Sequence, residues 1–312
     1  MEKKELLIIA DDSKICATNL GDLITVIIST KNRWQDLERA LFSLRSQTLA
    51  HKVIVIDDNS DDGTSDNVKS FFPEVILYTH TESKGYIVRR NEAIGRAQTP
   101  YVLSIDDDCV LENDTTIYEL AVFCSQTKSA AIAWPHVDVR NSDAVNNYAP
   151  AKELWQSCTF KGCSFIVDKK IFIDAGGFRA NFVHQGEEED FCIRLLNRGF
   201  PVLLGSGSPI YHYESPRRNW SRMDYYGSRN LILFAFFNVP LLFLPLQLFL
   251  SATKSILYGF KIKRPYQKFL GVVHGFRDGF RLMRTERNPV SSKTFLRYRQ
   301  LKKGHQLIKR FE

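Results

Sequence analysis

The chain has 312 residues, 44% hydrophobic and 25% charged. That excludes a disordered or low-complexity protein and allows one large α/β domain with an appendage, or two domains. Its net charge of +7 hides an asymmetry: Ser251 to Glu312 holds 16 Lys/Arg against 3 Asp/Glu, so the first 250 residues carry −6. The acidic part is where chemistry is expected, and the basic part needs an acidic partner, phospholipid or nucleic acid. Six cysteines (Cys16, Cys109, Cys124, Cys158, Cys163 and Cys192) form no C-x-x-C pair. They argue against a zinc site or disulfide framework and for a reducing compartment.

Met1–Glu5 is charged, Leu6–Ala10 is a short apolar run and Asp11-Asp12 follow at once, so no cleavable secretory leader is expected. Residues 1–22 read as a weakly patterned lead-in with at most one short strand. From Leu23 a regular rhythm begins. Leu23–Ser29 is a continuous apolar run, as in a strand buried on both faces. Trp34–Ser46 has helical spacing at Trp34, Leu37, Leu41 and Leu44. His51–Ile56 is a second strand, Asp57–Asp66 a loop, Val75–Tyr78 a third strand, Ile87–Ala97 a helix and Tyr101–Ile105 a fourth strand. Strands alternating with helices imply a parallel sheet with crossover helices.

Asn113–Gln126 reads as a helix, and Ala130–Val139 and Cys158–Val167 as strands. Lys169–Ala175 is a short helix stopped by Gly176-Gly177. Glu187–Asn197 is a helix opened by acids and closed by Gly199. Residues 231–250 are apolar at 16 of 20 positions, long enough for a membrane span. Asn238, Pro240, Pro245 and Gln247 interrupt the run, which favours a re-entrant or in-plane element. Cations interleaved with aromatics follow, from Lys261 to Arg284. They suit a lipid headgroup interface or single-stranded nucleic acid.

Four polar stretches follow strands. Asp106-Asp107-Asp108 closes the Tyr101–Ile105 strand, and three adjacent carboxylates repel unless a cation neutralises them. Hard oxygen ligands suit Mg²⁺ or Mn²⁺. Ser29–Arg33 leads from a strand into a helix. Asp57–Thr64 places acids at a strand end, where they can accept from a base or a ribose hydroxyl. Lys84–Asn91 combines a turn glycine with the cations Arg89 and Arg90. Each alone also reads as an ordinary solvated turn or surface cation.

In this order Ile27–Arg33, Asp57–Thr64, Gly85–Asn91 and Ile105–Asp108 resemble the family 2 glycosyltransferases, which have the GT-A fold. The likeness continues through Gly176-Gly177-Phe178 into Gly186–Leu195 and covers about residues 22–215. Departures are mild: Ser29 for Pro, Lys31 for Tyr, and Arg89 for a small residue. The resemblance implies a nucleotide-diphosphate sugar donor and a Mg²⁺ or Mn²⁺ ion on Asp106 and Asp108, with His212 facing the diphosphate or completing the metal shell. Thr30, Arg33, Asp57 and Asp58 approach the base, Asp107 sits near ribose or metal, and Lys84, Arg90 and Asn91 are further nucleotide-site candidates. It also implies a carboxylate general base that removes the acceptor proton in a single inverting displacement. Matching Asp190 and Arg194 to the family motif puts Glu188 at that position, with Glu187 and Asp190 as alternatives.

The expected architecture is therefore an α/β GT-A domain over 23–225, followed by a hydrophobic, basic, membrane-associating region over 226–312. The favoured acceptor is a lipid-linked glycan at the cytoplasmic face of the membrane, the protein being peripheral or monotopic there. A soluble acceptor is the second reading. A nucleic-acid-binding protein or an inactive scaffold is the rival of another class, and no nucleic-acid partner is expected. Trp134, Trp155 and Trp220 are read as core before sugar-stacking surfaces.

Overall fold

A computed structural model describes residues 20–150, 153–215 and 219–310. Most of the expected lead-in, with Cys16, lies outside them. Within them, β1 (Ile24–Thr30), α1 (Trp34–Arg45), β2 (Lys52–Asp57), α2 (Thr64–Phe71), β3 (Ile76–Thr79), α3 (Tyr86–Arg96) and β4 (Tyr101–Asp106) follow the alternation of the sequence. β1 shows why. Val26 and Ile28 pack with Leu37, Leu41 and Leu44 in one core, while Ile27 packs with Ile87 and Ile94 in another. Side chains alternate across a strand, so a continuous apolar run serves two helical layers.

The rest of the chain builds β5 (Cys109–Val110), α4 (Thr116–Thr127), β6 (Ala131–Ala133), β7 (His136–Asp138), β8 (Val145–Asn146), β9 (Glu153–Ser157), β10 (Ser164–Asp168), α5 (Lys169–Asp174), α6 (Glu187–Asn197), β11 (Val202–Leu204) and β12 (Ile210–His212). Then come α7 (Trp220–Asn238), α8 (Leu244–Lys261), α9 (Pro265–Glu286), α10 (Ser292–Leu301) and β13 (Gln306–Arg310). The main sheet has the order β13-β9-β11-β6-β10-β4-β1-β2-β3. All its strands run one way except β9 and β10, so the sheet is mostly parallel with helices on both faces. A small second sheet, β5-β12-β7-β8, stands at the carboxyl edge.

Two strand expectations need correction. Ala130–Val139 is two strands, because Pro135 lacks the amide a ladder needs. β6 stays in the main sheet and β7 joins the small one. The expected strand Cys158–Val167 begins only at Ser164, after a turn in which the Ser164 amide donates to the Lys161 carbonyl at 3.0 Å.

The long apolar run divides. Its first half lies in α7, where Ile232, Leu233, Phe236 and Phe237 are buried in the core that also covers the sheet. The expected domain boundary at residue 225 falls inside this helix. The chain turns at Pro240, and α8 restarts with Pro245 in its first turn, where a missing amide costs nothing. Among the described residues no helix is long and apolar enough to cross a membrane. α9 lies unusually close to α7 because Gly271, Gly275 and Gly279 face it. A Cβ on them would meet the Tyr225 carbonyl oxygen, Ile232 Cβ or the Phe236 ring at 2.3, 2.8 and 2.2 Å.

Candidate active site

Three neighbouring strands end in polar residues at one edge. Thr30 sits opposite Asp57, and Ser29 opposite Asp106. Ligands bind outside this carboxyl edge in open α/β sheets. A cleft of about 620 Å³ opens there, a size that suits a small-molecule ligand.

Arg33, just past β1, organises the acids. Its guanidinium lies 3.0 Å from Asp107 and 2.7 Å from Asp108. Thr30 Oγ1 donates to Asp107 at 2.8 Å. Burial pushes the Asp107 carboxyl up to about 7, with Asp108 adding to the effect and Arg33 opposing it. Burial alone would raise Asp108 too, but His212 and Arg33 hold it well below the usual carboxylate range.

His212 arrives from the small sheet. Its Nε2 is 3.2 Å from Asp108 Oδ1 and 3.9 Å from Asp106 Oδ2. Its Nδ1 lies 2.9 Å from Asp138 Oδ1. Asp108 Oδ1 is a buried carboxylate oxygen without a hydrogen-bond partner, and it faces this space. Cys109 is near as well, and donates to the Cys163 carbonyl at 3.4 Å. Burial pushes its thiol far up, so it stays a neutral S–H. What remains is an oxygen and imidazole set, which fits a hard divalent cation. Burial disfavours charge on His212, but Asp108 and Asp138 outweigh it and raise the imidazole strongly. Asp138 stands where a carboxylate would orient the His212 ring on a cation.

Asp58 carries a different load. It accepts from Ser83 Oγ at 2.7 Å, from the Lys84 and Gly85 amides at 2.8 Å each, and from Arg89 Nε at 2.6 Å. Burial opposes its charge, yet these donors hold it below its ordinary value. Asp58 thus shapes the Ser83–Gly85 wall of the cleft. Three other nucleotide-site candidates turn their side chains elsewhere. Asp57 accepts from the Ser60 amide at 2.9 Å and from Ser65 Oγ. The Lys84 side chain points to Glu82, 3.6 Å away. Asn91 clamps Phe178 through both of its backbone groups, at 2.7 and 2.9 Å. None of the three lines the cleft.

The first turn of α6 sends four acids in four directions. Glu187 is fully buried, with Arg90 Nη1 at 3.6 Å as its nearest cation. Burial and Glu188 push its carboxyl far up, against the pull of Arg90. Glu188 lines the cleft. Glu189 accepts from Tyr298 Oη at 3.0 Å and Lys302 Nζ at 2.9 Å. Asp190 is buried and held by Arg179 at 2.6 Å, Arg194 at 3.0 Å and Asn238 at 2.7 Å. Asp190, one of the candidate bases, does not line the cleft. Arg90 also donates to Asp106, and so joins the acidic edge to α6. Gly162 lets these groups meet: a Cβ there would lie 2.7 Å from Arg90 Nη1 and 3.0 Å from Glu188 Oε1.

Residues 25–184, half of the chain, match the sequence profile described as Glycosyl transferase family 2. The chain belongs to that family. It is 35% identical over 95 residues to the putative teichuronic acid biosynthesis glycosyltransferase TuaG of Bacillus subtilis, covering 29% of this chain and 38% of that one. It is 31% identical over 108 residues to the glycosyltransferase GlyA of Streptococcus pneumoniae, covering 33% and 16%. The match thus spans well under half the length of either relative. Among solved structures, S. aureus TarS residues 1–349 in complex with UDP-GlcNAc superposes with a TM-score of 0.62 at 19% identity, over 87% of this chain and 82% of that one. A mannosyltransferase of Pyrobaculum calidifontis in complex with GDP-Man and Mn²⁺ gives 0.55 at 16% identity, over 89% and 78%. These likenesses show the GT-A fold.

Several family 2 cleft residues carry no readable motif. Asp138 ends the three-residue strand His136–Asp138, too short to show a pattern. Tyr86, His184, Gln185 and Arg222 reach the cleft only through the packing of α3 and α7. Burial and the neighbouring Arg222 push His184 down to about 4, so its ring is neutral near pH 7. Of the tryptophans, Trp134 is core, Trp155 is half-buried and Trp220 is exposed beneath Arg264, and none lines the cleft.

Proposed function

We propose that this chain is an inverting, metal-dependent glycosyltransferase that moves a sugar from a nucleotide-diphosphate donor to an acceptor hydroxyl. The observation that carries the reading is the convergence of Asp106, Asp108, His212 and Glu188 on one cleft at the carboxyl edge of the sheet.

Glu188 takes the proton from the acceptor hydroxyl as its oxygen attacks the anomeric carbon. The bond from that carbon to the diphosphate oxygen breaks, and the nucleoside diphosphate leaves on the opposite side, which inverts the centre. Asp106, Asp108 and His212 would hold Mg²⁺ or Mn²⁺, which would supply charge neutralisation for the leaving diphosphate. Thr30, Arg33 and the Asp58-braced Ser83–Gly85 wall receive the nucleotide, with Asp107 beside it. Arg90 keeps Asp106 and Glu187 from repelling across the floor. Asp57, Lys84, Asn91 and Asp190 support these groups from behind. Burial disfavours the charge on Glu187, and Arg90 opposes that effect.

Titration calorimetry with UDP, GDP and dTDP tests the donor site. One nucleoside diphosphate binds in the presence of Mn²⁺, and Asp108→Ala abolishes that binding. Absence of binding by all three sinks the donor-site reading.

The acceptor we assign is a lipid-linked glycan at the cytoplasmic face of a membrane, where the protein sits as a peripheral or monotopic enzyme. Support comes from the C-terminal helices. Leu242 is 80% exposed, Phe249 65% and Phe260 65%, beside the cations Lys254, Lys261 and Lys263. Apolar side chains rimmed by cations match an anionic lipid interface. α7 packs against these helices, and its start at Arg222 and Met223 lines the cleft. Similarity to TuaG points to an envelope polymer. The protein is expected to co-sediment with phosphatidylglycerol-containing vesicles and much less with pure phosphatidylcholine. Each buried Leu or Phe is worth about 1.5–3 kcal/mol, so Leu242→Glu/Phe249→Glu weakens binding at least about tenfold. Equal binding by variant and wild type points to a soluble acceptor.

A further inference from the structure

The loop that delivers α6 to the cleft is strained. Val183 has φ +62° and ψ −44°, Gln185 φ +67° and Gly186 φ +87°. A β-branched residue rarely adopts such a conformation, and it persists only where its surroundings hold it. His184 and Gln185 line the cleft, and Glu187 and Glu188 follow directly.

One side chain bonds this loop at three points. Asn230 of α7, 2% exposed, donates from Nδ2 to the carbonyls of Phe182 at 2.8 Å, His184 at 2.9 Å and Gln185 at 2.7 Å. A primary amide has two hydrogens, so three acceptors share them. The direction of the amide is fixed from behind. Arg229 Nη1 donates to Asn230 Oδ1 at 3.0 Å, and Arg229 Nε donates to Asp278 of α9 at 2.8 Å. Arg229 also donates to the Asn181 carbonyl at 2.9 Å. On the cleft side, Tyr86 Oη accepts from the Gln185 amide at 2.8 Å. Gly186 is fitted to the same contact: a Cβ there would lie 3.3 Å from Asn230 Cβ.

We propose that Asn230 is a positioning residue that locks the strained Val183–Gly186 loop and so sets where Glu188 stands in the cleft. The proposal rests on the reading of Glu188 as general base. It makes the catalytic geometry depend on the C-terminal helices, because Asn230 is aimed by an ion pair between α7 and α9. The nucleotide wall, the Ser83–Gly85 turn braced by Asp58 after β2, makes no hydrogen bond to Asn230.

The test compares wild type with Asn230→Ala and with Asp278→Asn. Hydrogen exchange is read over residues 182–188, nucleoside diphosphate affinity is measured with Mn²⁺, and kcat and KM are taken with the donor that turns over. Asn230→Ala is expected to lose protection over 182–188 and to keep nucleotide affinity and donor KM. Its kcat should fall about 10–100-fold, since a misplacement of about 1 Å can cost that much. Asp278→Asn, which keeps a hydrogen-bond acceptor, should fall between it and wild type. Unchanged protection over 182–188, or unchanged kcat, overturns the proposal. Should Asn230→Ala not fold, Asn230→Ser carries the same comparison. Absence of turnover by wild type overturns the glycosyl-transfer reading instead, and the exchange measurement still decides whether Asn230 holds the loop.

Discussion

Glu188→Gln is expected to lower sugar transfer by about 10²–10⁴-fold, the usual contribution of a positioned general base. Nucleoside diphosphate affinity and the melting temperature should stay at wild-type values. The variant is isosteric, and Glu188 is the acid of the α6 first turn that lines the cleft without being fully buried. Its neighbours behave differently. Asp190→Asn removes the charge that balances Arg179 and Arg194, so it should destabilise the fold before it touches chemistry. Glu187→Gln replaces a carboxyl whose charge burial already disfavours, so its stability cost should be small. Parallel kcat, calorimetric and melting measurements on the three variants separate these roles. Equal activity of Glu188→Gln and wild type would remove Glu188 as the base.

Arg90→Met should have the largest effect on stability, a loss of about 3–5 kcal/mol, because it leaves the fully buried Glu187 and the half-buried Asp106 without their cation. Arg90 is 4% exposed, lies over the Tyr86 ring and pairs with Asp106 and Glu187. The loss should depend on pH. The folded-state pKa of Glu187 is already raised, and without Arg90 it rises further. A carboxyl with a raised pKa binds more protons folded than unfolded, so stability falls as pH increases above the ordinary glutamate range. Denaturant unfolding of Arg90→Met should therefore show a smaller deficit at mildly acidic pH than at mildly alkaline pH. A deficit that grows on acidification would show that the Glu187 charge is not what Arg90 balances.

The parallel half of the fold is legible because its strands are apolar runs buried on two faces, and such runs have few other uses. The edge strands are not. β13 is mostly exposed, and β9 interleaves polar with apolar residues beside a turn-rich segment, so neither carries a period that stands out. The apolar run at 231–250 is ambiguous because hydrophobicity does not say what covers it. Its first half is covered by the protein, and its second half is mostly exposed apart from Phe243, Leu244 and Leu248. The α9 glycines look like breakers until α7 is seen to fill the space they leave.

At the site, the motifs locate the edge but not the use of each residue. Asp58, Lys84 and Asn91 belong to the family pattern, yet they make backbone contacts that hold turns. Helical periodicity does separate the acids of α6. Glu187 and Asp190, three apart, share the buried face, and Glu188 turns away from it. Asp138 and Asn230 needed the fold. One comes from a strand displaced by Pro135, the other from a helix more than forty positions after the loop it holds.

The most direct test is nucleoside diphosphate release from UDP-, GDP- and dTDP-sugars by the purified protein in mild detergent, with Mn²⁺ or Mg²⁺ and with EDTA. The account predicts release from one donor, loss of that release with EDTA and in Asp108→Ala, and stimulation by a lipid-linked acceptor. Release that survives EDTA and Asp108→Ala, or no release from any donor with acceptor present, would contradict it.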